Sequence, residues 1–134
     1  MTAKEYLKQV RIMDQRLKLE REKLDRLRSA VEYRSPGFEG GGGGSDKSEA
    51  FNKLIELTER YDRMAADYID FYNAAEQKMI SVEDPTLREI LERRYLLYQK
   101  WEQIAEDMNY TVRHITRLHG QALQKMSLNV HKES

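Results

Sequence analysis

The residues with the most distinctive chemistry are two arginines in the carboxyl-terminal part of the chain. Arg113 and Arg117 are four residues apart, so they lie on one face of any helix that contains both. The planar guanidinium group of arginine matches the O6 and N7 acceptors of guanine and the oxygens of phosphate. The stretch from Met108 to Lys132 also contains no acidic residue. It therefore predicts a surface that binds nucleic acid.

The neighbouring residues fit an interface with double-stranded DNA. Val112 and Thr116 offer methyl groups for contact with thymine, and His114 offers a ring nitrogen to a base or a phosphate. Thr111 is suited to cap the helix and to meet a phosphate. Further polar and basic residues would hold the DNA backbone without sequence preference. The predicted DNA-binding residues are Lys100, Thr111, Val112, Arg113, His114, Thr116, Arg117, Gln121 and Lys125.

These residues lie in a pattern typical of a helix-turn-helix, which runs from Trp101 to Met126. Ala105 supplies the small residue that the first helix needs where the second crosses it closely. Asn109 follows in the turn, where it tolerates the left-handed conformation that such turns often require. Ile115 is placed to face inward from the second helix. That helix, residues 111–125, is predicted to enter the major groove of DNA near its amino-terminal end.

A glycine-rich segment comes close to a phosphate-binding loop but fails chemically. Residues 41–48 read GGGGSDKS, which differs by one residue from the G-x-x-x-x-G-K-S pattern. Asp46 places a negative charge where the loop needs glycine and bare N–H groups. No predicted strand precedes the segment. We therefore expect a connecting loop rather than a nucleotide site.

Metal and catalytic sites are not expected. The chain has no cysteine, and its histidines lack the Glu-x-x-His or His-x₃-His spacing of a metal site. His119 is expected on the helix surface. The acidic residues of the middle segment fall at helical spacing, which favours a solvated helix face. No pairing of nucleophile and base occurs, so we expect a protein that is not an enzyme and has no cofactor. The residues concerned are His114, His119, His131, Glu56, Glu59, Asp62, Asp67 and Asp70.

Residues 1–80 are predicted to form a long antiparallel helical hairpin resembling a coiled coil. Thr2 and Glu5 form a capping-box pattern at its start. Apolar residues then recur every seven positions, with Glu20 interrupting the second seam position. Residues 35–47 are rich in glycine and predict a loop, and a second periodic helix follows from near Ser48 to Ile80. The heptad positions are Ala3, Val10, Leu17, Leu24 and Val31.

Residues 84–128 are predicted to form a separate small helical domain, and 129–134 a flexible tail. Asp84 is suited to cap a helix that has Pro85 at its first position. A break is expected near residues 98–100. No segment alternates in the manner of a strand, so the predicted fold class is all-α.

Composition supports a cytoplasmic helical protein. The chain of 134 residues is 34% charged, has no cysteine and has a formal net charge of zero. That neutrality is uneven, since residues 1–34 carry ten basic and six acidic residues and residues 35–84 carry five and eleven. Local charge governs contact with phosphate, so zero net charge does not exclude DNA binding. No apolar run approaches the ~18 residues of a membrane span, and no membrane partner is expected.

The motif from Trp101 to Leu123 also carries a family resemblance. Residues 85–126 resemble region four of bacterial sigma factors, with IAEDM, RLH and AL at the helix-turn-helix of that family. The chain as a whole, with its MTAKEYL start and GGGGGS loop, is similar to the ArpU/RinA-type late transcriptional regulators of phages and prophages of Gram-positive bacteria. The resemblance implies a sequence-specific regulator of phage genes. It departs from the family at Gln99 and Lys100, where a Thr or Ser cap is more usual.

Two hypotheses about partners follow. In the first, a homodimer formed through the helical hairpin binds double-stranded DNA, with RNA polymerase as a further partner. A lone two-helix hairpin buries little apolar surface, so residues outside the seam favour a second copy. In the second, the protein is an adaptor that docks on RNA polymerase or on a DNA-packaging component similar to a small terminase. The apolar residues outside the seam include Leu7, Ile12, Leu19, Ile55 and Ile69.

Overall fold

The described part of the chain is helical, and the predicted all-α class is confirmed. The computed structural model describes the backbone of residues 1–34 and 44–133, and the side chains of residues 1–33 and 48–126. Within those ranges there is no strand. The predicted loop over residues 35–43 lies outside the described residues. The helices are α1 (Ala3–Arg34), α2 (Gly44–Ile80), α3 (Pro85–Tyr95), α4 (Trp101–Met108) and α5 (Val112–Glu133).

Two of the predicted helix starts are confirmed by their capping bonds. Thr2 Oγ1 accepts the backbone N–H of Glu5 at 3.1 Å, and the Glu5 carboxylate accepts the N–H of Thr2 at 3.3 Å. Asp84 Oδ1 accepts the N–H of Thr86 at 2.9 Å at the start of α3, where Pro85 occupies the first turn. These bonds satisfy N–H groups that have no partner within the helix.

Two helix ends differ from the prediction. The helix α2 begins at Gly44 rather than near Ser48, so residues 44–47 are helical and not part of a loop. Glycine is tolerated at a helix amino terminus, which explains how α2 reaches into the glycine run. The helix α5 continues to Glu133, through most of the segment predicted as a tail. No glycine or proline follows Gly120 in the sequence to end it.

The chain forms two compact units. Unit 1 comprises Met1–Met13 and Ile69–Ser134, and unit 2 comprises Asp14–Tyr68. In unit 1, α3, α4 and α5 pack against one another. Its buried residues come from all five helices and include Leu7, Val10, Ala75, Met79, Leu87, Ile90, Leu91, Ile104, Ile115, Ala122 and Met126.

Unit 2 contains polar contacts between α1 and α2. Glu20, which interrupts the apolar seam, accepts a hydrogen bond from Arg60 Nη2 at 2.9 Å. One residue further, Arg21 Nη1 lies 3.4 Å from the Tyr61 hydroxyl. Leu24 is buried in this unit. The Glu20–Arg60 pair places the acid on α1 and the base on α2, although residues 1–34 carry more basic than acidic residues and residues 35–84 carry more acidic than basic residues.

None of the described helices combines the length and the apolar character required to cross a membrane.

Candidate nucleic-acid interface

A small apolar core fixes the three carboxyl-terminal helices relative to one another. Ile90 of α3, Ile104 and Ala105 of α4, and Ile115 of α5 are buried together. Ala105 is only 5% exposed, as expected where a small residue allows two helices to approach closely. The partly buried residues Trp101, Met108 and Leu118 pack against this group. The core therefore sets which face of α5 points to solvent.

The turn between α4 and α5 is built as the sequence predicts. Asn109 has φ 59° and ψ 43°, the left-handed conformation. The next N–H, that of Tyr110, donates to the carbonyl of Ala105 at 2.9 Å and closes α4. Thr111 Oγ1 then accepts the N–H of His114 at 3.1 Å, so Thr111 caps α5 as predicted. The turn leads directly into the helix that carries both arginines.

The first two turns of α5 present a polar face over a buried one. Ile115 is fully buried, whereas Arg113, Thr116 and Arg117 are exposed. Val112 is 39% exposed, in keeping with a methyl group that is available for contact. The backbone carbonyl of Arg113 accepts a hydrogen bond from Thr116 Oγ1 at 3.0 Å. Its guanidinium group forms no hydrogen bond or ion pair with another described residue, so it is available to a ligand.

The second arginine is held by its neighbours. Arg117 Nη2 lies 2.8 Å from His114 Nδ1, and the His114 and Tyr110 rings pack in a T-shaped arrangement with their centroids 4.9 Å apart. Guanidinium groups only donate hydrogen bonds, so His114 Nδ1 is the acceptor and its ring proton lies on Nε2. That Nε2–H is a donor for a phosphate or a base acceptor. The contacts fix Arg117 on the exposed face before any ligand binds.

The remaining predicted residues lie on either side of this face. Lys100 is exposed at the N-cap of α4 and makes no side-chain capping bond, which fits its departure from the usual Thr or Ser. Gln121 and Lys125 are exposed on α5 and line a groove of about 700 Å³. The other side of the groove is formed by the start of α1. The full lining is Thr2, Ala3, Lys4, Gly120, Gln121, Leu123, Gln124 and Lys125.

Sequence reasoning missed Lys4 as a member of this surface. Lys4 is exposed and lies beside α5, although Lys4 and Lys125 are near opposite ends of the sequence. Helical periodicity identifies which residues of one helix share a face, and it carries no information about distant helices. No signal in the sequence could have placed Lys4 here.

The prediction that His119 lies on the helix surface was wrong. His119 is 7% exposed, and its Nε2 forms a 2.8 Å hydrogen bond with the Tyr95 hydroxyl of α3. The Trp101 ring of α4 and the histidine ring pack in a T-shaped arrangement with their centroids 4.6 Å apart. The signal was present in the sequence, because His119 follows the buried Ile115 by four residues and so shares its inward face.

Burial governs the charge of this cluster. Together with the nearby cations of Lys4 and Arg94, it lowers the pKa of His119 to about 4. Burial also raises the pKa of Tyr95 to about 12. Both side chains are therefore uncharged at neutral pH. The histidine joins α3, α4 and α5 rather than binding a ligand.

The acidic residue closest in sequence to the turn is compensated. Asp107 of α4 accepts a hydrogen bond from Arg93 Nη1 at 3.1 Å, and Arg93 Nε also pairs with Glu89 at 2.7 Å. Gln103 donates to the other oxygen of Asp107 at 2.8 Å. These contacts limit the repulsion that Asp107 would exert on an approaching phosphate. Among the residues whose side chains are described, no group of three or more His, Asp or Glu is placed to hold a metal ion.

Comparison with known proteins returned no match. No family model, no curated protein and no solved structure matches the chain. The resemblance to sigma region four and to the ArpU/RinA-type regulators therefore remains a prediction from the residues between Trp101 and Leu123.

Proposed function

We propose that the chain is a sequence-specific DNA-binding protein that reads the major groove with α5, as the second helix of a helix-turn-helix. One observation carries the proposal. The first turns of α5 expose Arg113, Thr116 and Arg117 directly above the buried Ile115, behind a tight left-handed turn at Asn109. This is the part of a recognition helix that enters the groove.

The two arginines have different roles in this proposal. The guanidinium group of Arg113 has no partner among the described residues, so Arg113 is the better candidate for a bidentate contact with guanine. Arg117 is oriented by His114, and the pair together provide donors for a second base or a phosphate. Lys100, Gln121 and Lys125 contact the DNA backbone, which adds affinity without sequence preference.

The biological setting is proposed from the resemblance. A role as transcriptional regulator of phage or prophage genes follows from the motif between Trp101 and Leu123. In this role α1 and α2 form the helical hairpin and hold two copies together. Exposed apolar residues on both helices support that part of the proposal, among them Leu19 at 54% and Ile55 at 52% exposure.

Binding to DNA of selected sequence tests the proposal. The site is first selected by the purified protein from a random duplex library, and affinity is then measured by fluorescence anisotropy on the selected and random duplexes. We expect Arg113→Ala to lower affinity for the selected site about tenfold or more, since one bidentate base contact contributes about 1–3 kcal/mol. Affinity for random DNA should fall much less. The ratio of the affinities for the selected and random duplexes is the quantity that tests the proposal.

Arg16→Ala is the matched control, because Arg16 is an exposed arginine on α1 in unit 2. It should leave both affinities unchanged. Weak binding that is equal on all sequences, and insensitive to Arg113→Ala and Arg117→Ala, would contradict the proposal. The adaptor hypothesis would then be tested by binding to RNA polymerase.

A further inference from the structure

Gly120 lies in the interior of a helix, at a position where no contact within the described part of the protein requires glycine. It lies in the middle of α5, where glycine is among the least favourable residues for helix stability. A Cβ atom placed on Gly120 would meet nothing within 4 Å in the structure. Packing within the protein therefore does not require the missing side chain. The open space is available to a partner.

The position of Gly120 relates it to the arginines. Counting from Arg113, the residues at steps of four, three and four are Arg117, Gly120 and Gln124. These residues follow one stripe along a helix. Gly120 is seven residues from Arg113, which is ~10 Å along the helix axis. The major groove is about 12 Å wide, so a helix that contacts bases at Arg113 reaches the edge of the groove near Gly120.

The groove at Gly120 has the charge that a phosphate backbone needs. Lys125 lines it from α5 and Lys4 from the start of α1, and none of the described residues that line it is acidic. Glu5, the neighbouring acid, directs its carboxylate to the N–H of Thr2 in the capping box. Most of the groove surface is apolar, and the two lysines supply the charge that complements a phosphate backbone.

We propose that the DNA sugar-phosphate backbone lies in this groove, with Gly120 at the point of closest approach and Lys4 and Lys125 contacting phosphates on either side. The inference rests on the proposed DNA-binding function and extends it. It adds the amino-terminal turn of α1 to the DNA interface, which the helix-turn-helix pattern alone does not contain. It also assigns Gly120 a role in binding rather than in folding.

Salt dependence tests the role of Lys4. Lys4→Gln should weaken binding by a similar factor on selected and random DNA, and should reduce the slope of log affinity against log salt by ~0.9. Lys8→Gln is the control, because Lys8 is exposed one turn further along α1 and does not line the groove. An unchanged slope for Lys4→Gln, or an equal change for Lys8→Gln, would overturn the role of Lys4.

Substitution of Gly120 tests the close approach. Gly120→Ala should raise the Tm, since alanine is the better helix former and its Cβ has room. Gly120→Leu should fold, as judged by circular dichroism and Tm, and should lose affinity for both duplexes. A Gly120→Leu protein that is folded but binds DNA weakly would show that the loss of affinity does not come from a folding defect. Unchanged binding by Gly120→Leu would overturn it.

The outcomes also separate this inference from the function on which it rests. If the unaltered protein shows no sequence preference, the proposed function fails. If sequence preference is present and depends on Arg113, while Lys4→Gln and Gly120→Leu bind as the unaltered protein does, only the inference fails.

Discussion

A single polar residue, His119, joins three helices of unit 1. Its ring contacts the Tyr95 hydroxyl of α3 and the Trp101 ring of α4, and Arg94 lies 4.3 Å above that same indole. A buried polar group that keeps its hydrogen bond costs little, whereas a buried charge without a counter-ion costs much. The uncharged imidazole satisfies the first condition, and the positive charges of Lys4 and Arg94 oppose its protonation.

Stability should therefore fall on mild acidification. The pKa of His119 is about 4 in the folded protein and about 6.5 in the unfolded chain, so the unfolded state takes up a proton first as the pH falls. The contribution of the uncharged His119 to the free energy of unfolding is complete above pH 6.5 and is lost as the pH falls from 6.5 to 4. At pH 5 we expect a loss of about 2 kcal/mol in the free energy of unfolding. Urea titrations at pH 7 and pH 5 measure it.

Two variants check the assignment. His119→Leu should reduce the difference between the two pH values, although it lowers stability at pH 7 by leaving the Tyr95 hydroxyl without its partner. Tyr95→Phe should retain most of the difference, because burial and the neighbouring cations remain. A difference that is the same for His119→Leu as for the unaltered protein would assign the pH dependence to other groups.

At the scale of elements, sequence patterns correctly predicted the features that depend on contacts between residues close together in the chain. The caps at Thr2, Asp84 and Thr111 each depend on bonds within three residues, and all three are present. The ends of α2 and α5 were misplaced, because composition lowers helix propensity gradually and does not set a boundary. The Glu20–Arg60 pair could not be predicted from local sequence patterns either, because its two residues are forty positions apart in the chain.

The turn between α4 and α5 gives a prediction about one backbone conformation. Asn109 adopts φ 59°, which is unfavourable for residues with a Cβ but is tolerated by asparagine and glycine. Asn109→Gly should leave stability nearly unchanged, whereas Asn109→Ala should cost about 1 kcal/mol. Urea unfolding measures both. Because Asn109 is exposed, the loss reflects the backbone rather than a buried contact. Equal stabilities for the two variants would contradict this.

At the scale of the whole chain, the sequence predicted the fold class and the exposed face of α5, and it missed what joins distant segments. Leu7 lies outside the predicted apolar seam, yet it is fully buried in unit 1. The same unit brings Lys4 beside Lys125. Both facts depend on the first turns of α1 belonging to the same compact unit as α3, α4 and α5. A heptad pattern predicts that a helix has an apolar side, but it does not predict which other segment of the chain packs against that side.

The exposed apolar residues of α1 and α2 lead to a prediction about assembly. In unit 2, Leu19 and Ile55 each expose more than half of their surface, at 54% and 52%. Burying them against a second copy contributes about 25 cal/mol for each Å² of apolar surface removed from water. We expect a dimer by size-exclusion chromatography with light scattering. Leu19→Glu combined with Ile55→Glu should shift it to a monomer.

Gln15→Glu is the control for added charge, since Gln15 is exposed on α1 in the same unit. It should leave the dimer intact. A dimer carries two copies of α5, so its selected DNA should contain two half-sites separated by about one helical turn or a multiple of it. The monomeric variant should then bind a single half-site with the same sequence preference but lower overall affinity, because the second contact no longer benefits from a high effective concentration. A strict monomer at high protein concentration, with one unrepeated site, would mean that Leu19 and Ile55 serve a different partner.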